Sequence, residues 1–196
     1  MAANTFHDHR DARAVVLVEG RSDRAALEAL ARRTGHDLAA EGVSIVSMGG
    51  ATNIGHFLDA FGPRGLGLRL AGLCDAAEAP GFCRSLDRAG LGAGLTRGGM
   101  QQLGFFVCVS DLEDELIRAL GLAAVEHVIE VQGDLGALRT FQNQPAQRAR
   151  EPVAQLRRFL GTRSGRKIQY ARLLAEALDT SRVPAPLEGV LAAVRQ

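Results

Sequence analysis

The chain has 196 residues, 46% of them hydrophobic and 23% charged, which suits one folded domain, alone or with a helical extension, and excludes disorder throughout. No apolar run approaches the roughly 18 residues of a membrane span, so a transmembrane protein is excluded, and the start, MAANTFHDHRDAR, does not read as a signal peptide. A net charge of +1, from 23 basic and 22 acidic residues, neither demands nor forbids a nucleic-acid partner.

The pattern predicts alternating strands and helices from the start of the fold. Ala14–Val18 (AVVLV) is short, β-branched and apolar on both faces, as a buried parallel strand should be. Ser22 to Arg33 carries alanine and leucine at helical spacing, with Ser22 as the expected N-cap and Gly35 closing it. Val43–Val46 is the second strand, and a Gly-Gly-Ala turn opens a helix over Thr52–Phe61. Leu68–Cys74 is the third strand, followed by a helix from Pro80 to Ala89. Phe105–Val109 is the fourth, followed by a helix over Asp111–Leu120. Beyond residue 121 strand signals vanish, and Leu122–Val131, Pro152–Leu160, Lys167–Leu178 and Pro186–Val194 read as helices. The expectation is an α/β domain over 13–120 with a parallel sheet flanked by helices, and a helical extension over 121–196 packed on it.

In such a sheet ligands bind beyond the carboxyl ends of the strands. Each strand here ends in polar chemistry: Glu19-Gly20 with Asp23; Gly49-Gly50 with Thr52; Asp75 with Glu78; Ser110-Asp111 with Glu113 and Glu115. Singly, each acid reads as a helix N-terminal charge. Together they crowd one rim with carboxylates, for which a hard cation such as Mg²⁺ or Mn²⁺ is the natural counter-ion. The Gly49-Gly50-Ala51-Thr52 turn could cradle a phosphate or be a tight strand-to-helix connection, and both readings stand. The 23 basic residues include one lysine, Lys167; the others are arginine. Three cysteines, Cys74, Cys83 and Cys108, form no CxxC pair, which points to a reducing, cytoplasmic setting rather than to disulfides or structural zinc.

The segment VVLVEGRSDRAALEAL, a strand ending in Glu-Gly with an Asp a turn later, resembles the first motif of the Toprim (Rossmann-like) domain of topoisomerases, primases and nucleases. LCDAAE resembles its second motif, Asp-x-Asp, with Asp75 in place and Ala77 where the second acid belongs. With EGVSIVSMGGATNIGHF, VSDLEDELIRAL and RSGRKIQYARLLAEAL, the resemblance narrows to the Toprim portion of the OLD (overcoming lysogenization defect) nucleases and spans about residues 13–180.

That resemblance implies a first metal held by Glu19, Asp23 and Asp75, with Glu78 a further candidate, and a second held by Asp111, Glu113 and Glu115. It also implies a catalytic role for Glu19 as acid or base and for Lys167 in transition-state stabilisation. Arg163 and Arg166, beside that lysine, are candidates for holding nucleic acid, with a solvated basic turn as the equal rival. OLD proteins carry an ATPase domain; this sequence has no GxxxxGK[ST], so a separate ATPase subunit is the expected partner if one acts at all. The implied function is Mg²⁺-dependent hydrolysis of DNA phosphodiester bonds by two-metal catalysis. The rival is a degenerate Toprim module that binds nucleic acid or an ATPase without cutting, favoured by Ala77. A receiver-type phosphate-binding domain would also gather acids but lacks the EGxxD motif and the helical tail.

Overall fold

The computed structural model describes residues 12–162 and 164–195. Four parallel strands, β1 (Ala14–Val18), β2 (Val43–Ser47), β3 (Arg69–Cys74) and β4 (Phe105–Val107), form one sheet in the order β2-β1-β3-β4. The register pairs Val18 with Ser47 on one side and with Leu73 on the other, and Cys74 with Val107. β1 is central, which is why all five of its residues are apolar and buried.

Strand alternation sorts side chains into two apolar layers. Val15, Leu17, Phe105 and Val107 face a layer closed by α2 (Ile54–Phe61), α3 (Ala79–Arg88) and α4 (Arg97–Gln102). Ala14, Val16, Val18, Ala71 and Leu73 face the opposite layer, covered by α1 (Arg21–Arg33), α5 (Leu112–Leu120), α10 (Ser164–Ala177) and α11 (Ala185–Ala193). Between α5 and α10 the chain forms α6 (Leu122–Val131), α7 (Leu135–Gln142), the short α8 (Pro145–Arg148) and α9 (Pro152–Leu160). Leu156, Leu174 and Leu187 belong to the same apolar cluster as Val16, so helices on both sides of residue 120 share one core. No helix among the described residues is long and apolar enough to cross a membrane.

Several element boundaries differ from the sequence expectation, each for a local reason. Helix α1 begins at Arg21 with Gly20 as its N-cap, so the expected cap, Ser22, lies inside the helix and is buried. Asp23 at the third position accepts the Gly20 N–H at 2.8 Å, which is one half of a capping box; the other half needs an N-cap side chain that glycine lacks. The Gly-Gly turn leads into a 3-10 turn, Ala51–Asn53, before α2 starts; Gly49 and Gly50 have φ of 70° and 134°, which only glycine adopts without strain.

Strand β4 stops at Val107, two residues early. Val109 is 60% exposed because its N–H turns away from the ladder to Glu115 Oε1, at 2.6 Å. Helix α4 was not anticipated from RGGMQQ, whose glycines disfavour a helix. The Thr96 hydroxyl caps it by accepting the Gly99 N–H at 3.2 Å, and Met100 anchors it in the core.

Candidate functional site

From β1 the chain steps outward to β2, then crosses back over β1 to β3. The carboxyl ends of β1 and β3 therefore flank a topological switch point, the crevice where open α/β sheets bind ligands. Glu19 follows β1 and Asp75 follows β3. Val18 and Leu73 are register partners, so the two acids emerge within a residue of each other along neighbouring strands. The end of β4 is tied to β3 by the Cys108 N–H donating to the Cys74 carbonyl at 2.9 Å. The Ala76 N–H then donates to the Ser110 carbonyl at 3.0 Å, which delivers Asp111 to the same rim.

Two helix starts complete the cluster. Asp111 caps α5, its Oδ1 accepting the Asp114 N–H at 2.9 Å, while its Oδ2 accepts from Arg157 Nη2. Glu113, in the first turn of α5, is only 6% exposed. Its Oε2 lies 3.5 Å from Lys167 Nζ, and its Oε1 is buried without a hydrogen-bond partner. Lys167 comes from the first turn of α10, which lies along α1 and touches α5. Tyr170, one turn on, is fully buried and donates to Asp134 Oδ2 at 2.9 Å, which sets the start of α10 against the start of α7.

The electrostatics show how close these groups are. Burial, then repulsion from Asp23, Asp111, Glu19 and Glu113, pushes the Asp75 carboxyl up to about 7. Burial raises Glu19, reinforced by Asp23 and Glu78 and opposed by Lys167. Asp23 is raised by burial despite the Gly20 N–H and Lys167. Burial also raises Glu113, outweighing the lysine beside it. For Lys167 desolvation works the other way, but Glu113, Asp23 and Asp75 overcome it and hold the ammonium above the ordinary lysine range. Cys74 and Cys108 are buried close by, and burial pushes the Cys74 thiol up to about 12, which keeps it protonated as a space-filling group.

Glu19, Asp23, Asp75, Asp111, Glu113 and Lys167 thus share one site, with Glu78 at its edge beside Glu19. Among the described residues no three His, Cys, Asp or Glu side chains already stand where one ion could be held, so the acids are gathered but not closed on a common point. Glu115, grouped with the metal ligands above, spends its Oε1 on the Val109 N–H and places its Oε2 2.6 Å from Arg118, shaping the loop that carries Asp111. Gly50 gives its N–H to the Glu19 carbonyl at 3.1 Å, which ties the end of β2 to the end of β1. Gly49 lines a cavity with Arg21 and His56, whereas Thr52 opens on a separate one beside Arg64 and Arg88.

Of the two arginines expected to meet nucleic acid, Arg163 lies outside the described residues. Arg166 stacks on the Phe159 ring at 4.4 Å, donates to Thr162 Oγ1 at 3.0 Å and sits 3.5 Å from Asp134, joining α10 to α9 and α7. Among the described residues, Arg157 touches the acidic rim, through Asp111. In a chain so rich in arginine, the Arg157-Arg158 pair carried no signal that separated it from the rest.

Residues 12–76 match the family described as overcoming lysogenization defect protein-like, TOPRIM domain. No match is found among curated protein sequences. Among solved structures, the C-terminal region of the Burkholderia pseudomallei OLD protein shares the fold with a TM-score of 0.73 and 24% identity, over 94% of this chain and 97% of that one. The C-terminal region of the Xanthomonas campestris pv. campestris OLD protein is similar at a TM-score of 0.74 and 26% identity, over 94% of this chain and 92% of that one. A second structure of that region has 27% identity and a TM-score of 0.71, with 94% of each chain covered. The motif, the switch-point acids and these likenesses agree: residues 12–76 match a Toprim domain of the OLD family, and the fold around them is similar to that of OLD C-terminal regions.

Proposed function

We propose that the chain is a divalent-metal-dependent nuclease that hydrolyses DNA phosphodiester bonds at the rim formed by β1, β3 and α5. The observation that carries this reading is the cluster itself: carboxylates from three strand ends repel one another around a single lysine, and a buried Glu113 oxygen has no partner. Groups so arranged fit a hard cation, because every donor is an oxygen and the uncompensated charge is negative. Glu19, Asp23 and Asp75 would hold one ion, with Glu78 available beside Glu19. Asp111 and Glu113 would hold a second, with Glu115 supporting their loop. Bound Mg²⁺ or Mn²⁺ would supply Lewis-acid stabilisation of the phosphate oxygens and lower the pKa of an attacking water.

The protein's own groups do the rest. Hydrolysis joins a water oxygen to phosphorus, breaks the bond to the leaving oxygen, moves one proton off the water and places one on the leaving group. Glu19 is partly exposed, and burial, with Asp23 and Glu78 beside it, raises its carboxyl above the usual carboxylate range, so it is the rim acid placed to pass a proton to or from the reacting oxygens. Lys167 stays protonated and acts as a fixed positive charge for the oxygens on which negative charge grows.

Incubating plasmid and linear DNA with Mg²⁺ or Mn²⁺ tests the reading. The wild-type chain should cut, and Glu19→Gln and Lys167→Arg should each lose about 100-fold or more, the scale of a lost acid–base or charge-stabilising group. The second reading, a Toprim module that binds without cutting, rests on Ala77, whose exposed methyl stands where the family motif has an acid. Wild-type protein that binds DNA but leaves it intact with both metals would select it.

A further inference from the structure

Asp111 faces two ways. On one side it feels Asp75, Asp23 and Glu113; on the other it lines a cavity of about 340 Å³ whose remaining walls are Arg150, Ala154, Arg157 and Arg158. Three arginines thus line one cavity with a single carboxylate, which Arg157 pairs, beside the acidic rim. Their donors are largely unused. Arg157 gives Nη2 to Asp111, but its Nε is buried and has no partner. Arg150 spends Nε on the Ala146 carbonyl at 3.1 Å, leaving its terminal nitrogens, and Arg158 has no hydrogen-bond or ion-pair partner among the described residues. A guanidinium has five donors in a planar fork matched to phosphate, and clustered arginines facing open space repel one another until an anion arrives. Arg157 and Arg158 also sit in the last turn of α9, where the helix dipole favours cations and holds them in place.

We propose that Arg150, Arg157 and Arg158 form an anion site for a nucleic-acid backbone phosphate, adjoining the acidic rim through Asp111. The inference rests on reading that rim as the place where a phosphodiester is cut, and it assigns the position of a neighbouring phosphate of the same strand. Arg157 has a second part in it: by pairing with Asp111 it joins the phosphate site to the acidic one, so it is a positioning residue for Asp111 as well as a contact for the strand.

Arg150 and Arg158 are exposed, so an Arg150→Ala/Arg158→Ala double variant should keep the fold, checked by its melting temperature. Binding is read in EDTA, without divalent metal, from the anisotropy of a short fluorescein-labelled DNA duplex between about 50 and 200 mM salt. The double variant should bind about tenfold more weakly or worse, with a log–log salt slope reduced by about 1–2, and Arg150→Lys/Arg158→Lys should recover most of the slope. An unchanged affinity and slope would overturn the inference. If the wild type still cuts plasmid in that case, the nuclease reading survives without it. Conversely, an arginine-dependent slope in a protein that never cuts would sustain the phosphate site and sink the nuclease. Calorimetric titration with inorganic phosphate separates the sources: tight, arginine-dependent binding of free phosphate with no binding of duplex would overturn the assignment to a nucleic-acid strand.

Discussion

Asp75 is the residue on which the acidic rim turns, because four other acids feel it and its own carboxyl is held near 7. Its folded value lies above the unfolded one, so its contribution to stability is fully present below about pH 4 and is lost as pH rises through 7. In metal-free protein at pH 8, Asp75→Asn should therefore stabilise the fold by roughly 1–2 kcal/mol, the full shift being reduced by solvent screening at a partly exposed site, and it should change little at pH 4. Urea melts at the two pH values measure this, and an equal gain at both would mean packing, not ionisation. Glu19, Asp23, Asp75 and Lys167 were legible before any fold was known, because a strand ending in Glu-Gly or Cys-Asp and a solitary lysine are local signals. Arg157 was not, because its meaning depends on Asp111, 46 residues earlier in the chain.

At the scale of elements, the rings of β4 come close enough to a neighbouring strand and to a covering helix to need glycine there. A methyl group on Gly72 in β3 would stand 2.6 Å from the Phe105 ring, and one on Gly189 in α11 would stand 2.2 Å from Phe106. Consecutive aromatic residues of β4 are thus received by a missing side chain on each side of the sheet. Gly189→Ala should cost about 1–3 kcal/mol as α11 is pushed off β3 and β4. Thermal melts should show the loss, with part of it recovered in Gly189→Ala/Phe106→Leu. A neutral Gly189→Ala would mean that the half-buried Phe106 ring moves aside freely. Helix α10 matters for a different reason. It runs beside α1, with Arg33 Nη2 donating to the Leu178 carbonyl at 3.0 Å at one end, and its other end carries Lys167 to Glu113. Arg166, for which a nucleic-acid contact and a solvated basic turn stood as equal readings, packs against Phe159 and Asp134, which offer its guanidinium a ring face and a charge.

For the whole molecule, the balance between repulsion at the rim and the surrounding core has a consequence that heat can measure. A divalent cation that binds the folded rim and not the unfolded chain should raise stability by about 1.4 kcal/mol at ten times its dissociation constant. With Mg²⁺ or Mn²⁺ the melting temperature should rise at pH 8, and rise less at pH 5.5, where Asp75 holds a proton that the ion must displace. Asp75→Asn should blunt the gain. A metal-induced rise that is the same at both pH values and survives in Asp75→Asn would place the ion away from this rim.

The parallel α/β class, the four strands, the helix that follows each and most of the acidic rim follow from the sequence alone. Continuous β-branched runs, helical periodicity and acids at strand ends are interactions between near neighbours, and the Toprim motifs are themselves short. The strand order β2-β1-β3-β4 was decided only in three dimensions, and it is this order that puts Glu19 and Asp75 on two sides of one crevice. So was the early end of β4, since the pull of Glu115 on the Val109 N–H competes with the ladder. Helix α4, with two glycines in six residues, is held by the Thr96 cap and by Met100 in the core and not by its composition. The meeting of Lys167 with Glu113, and of Arg157 with Asp111, belongs to the same class of fact. Both pairs join residues about fifty positions apart, and what brings them together is the packing of the later helices over one face of the sheet, where they share one apolar core with α1 and α5.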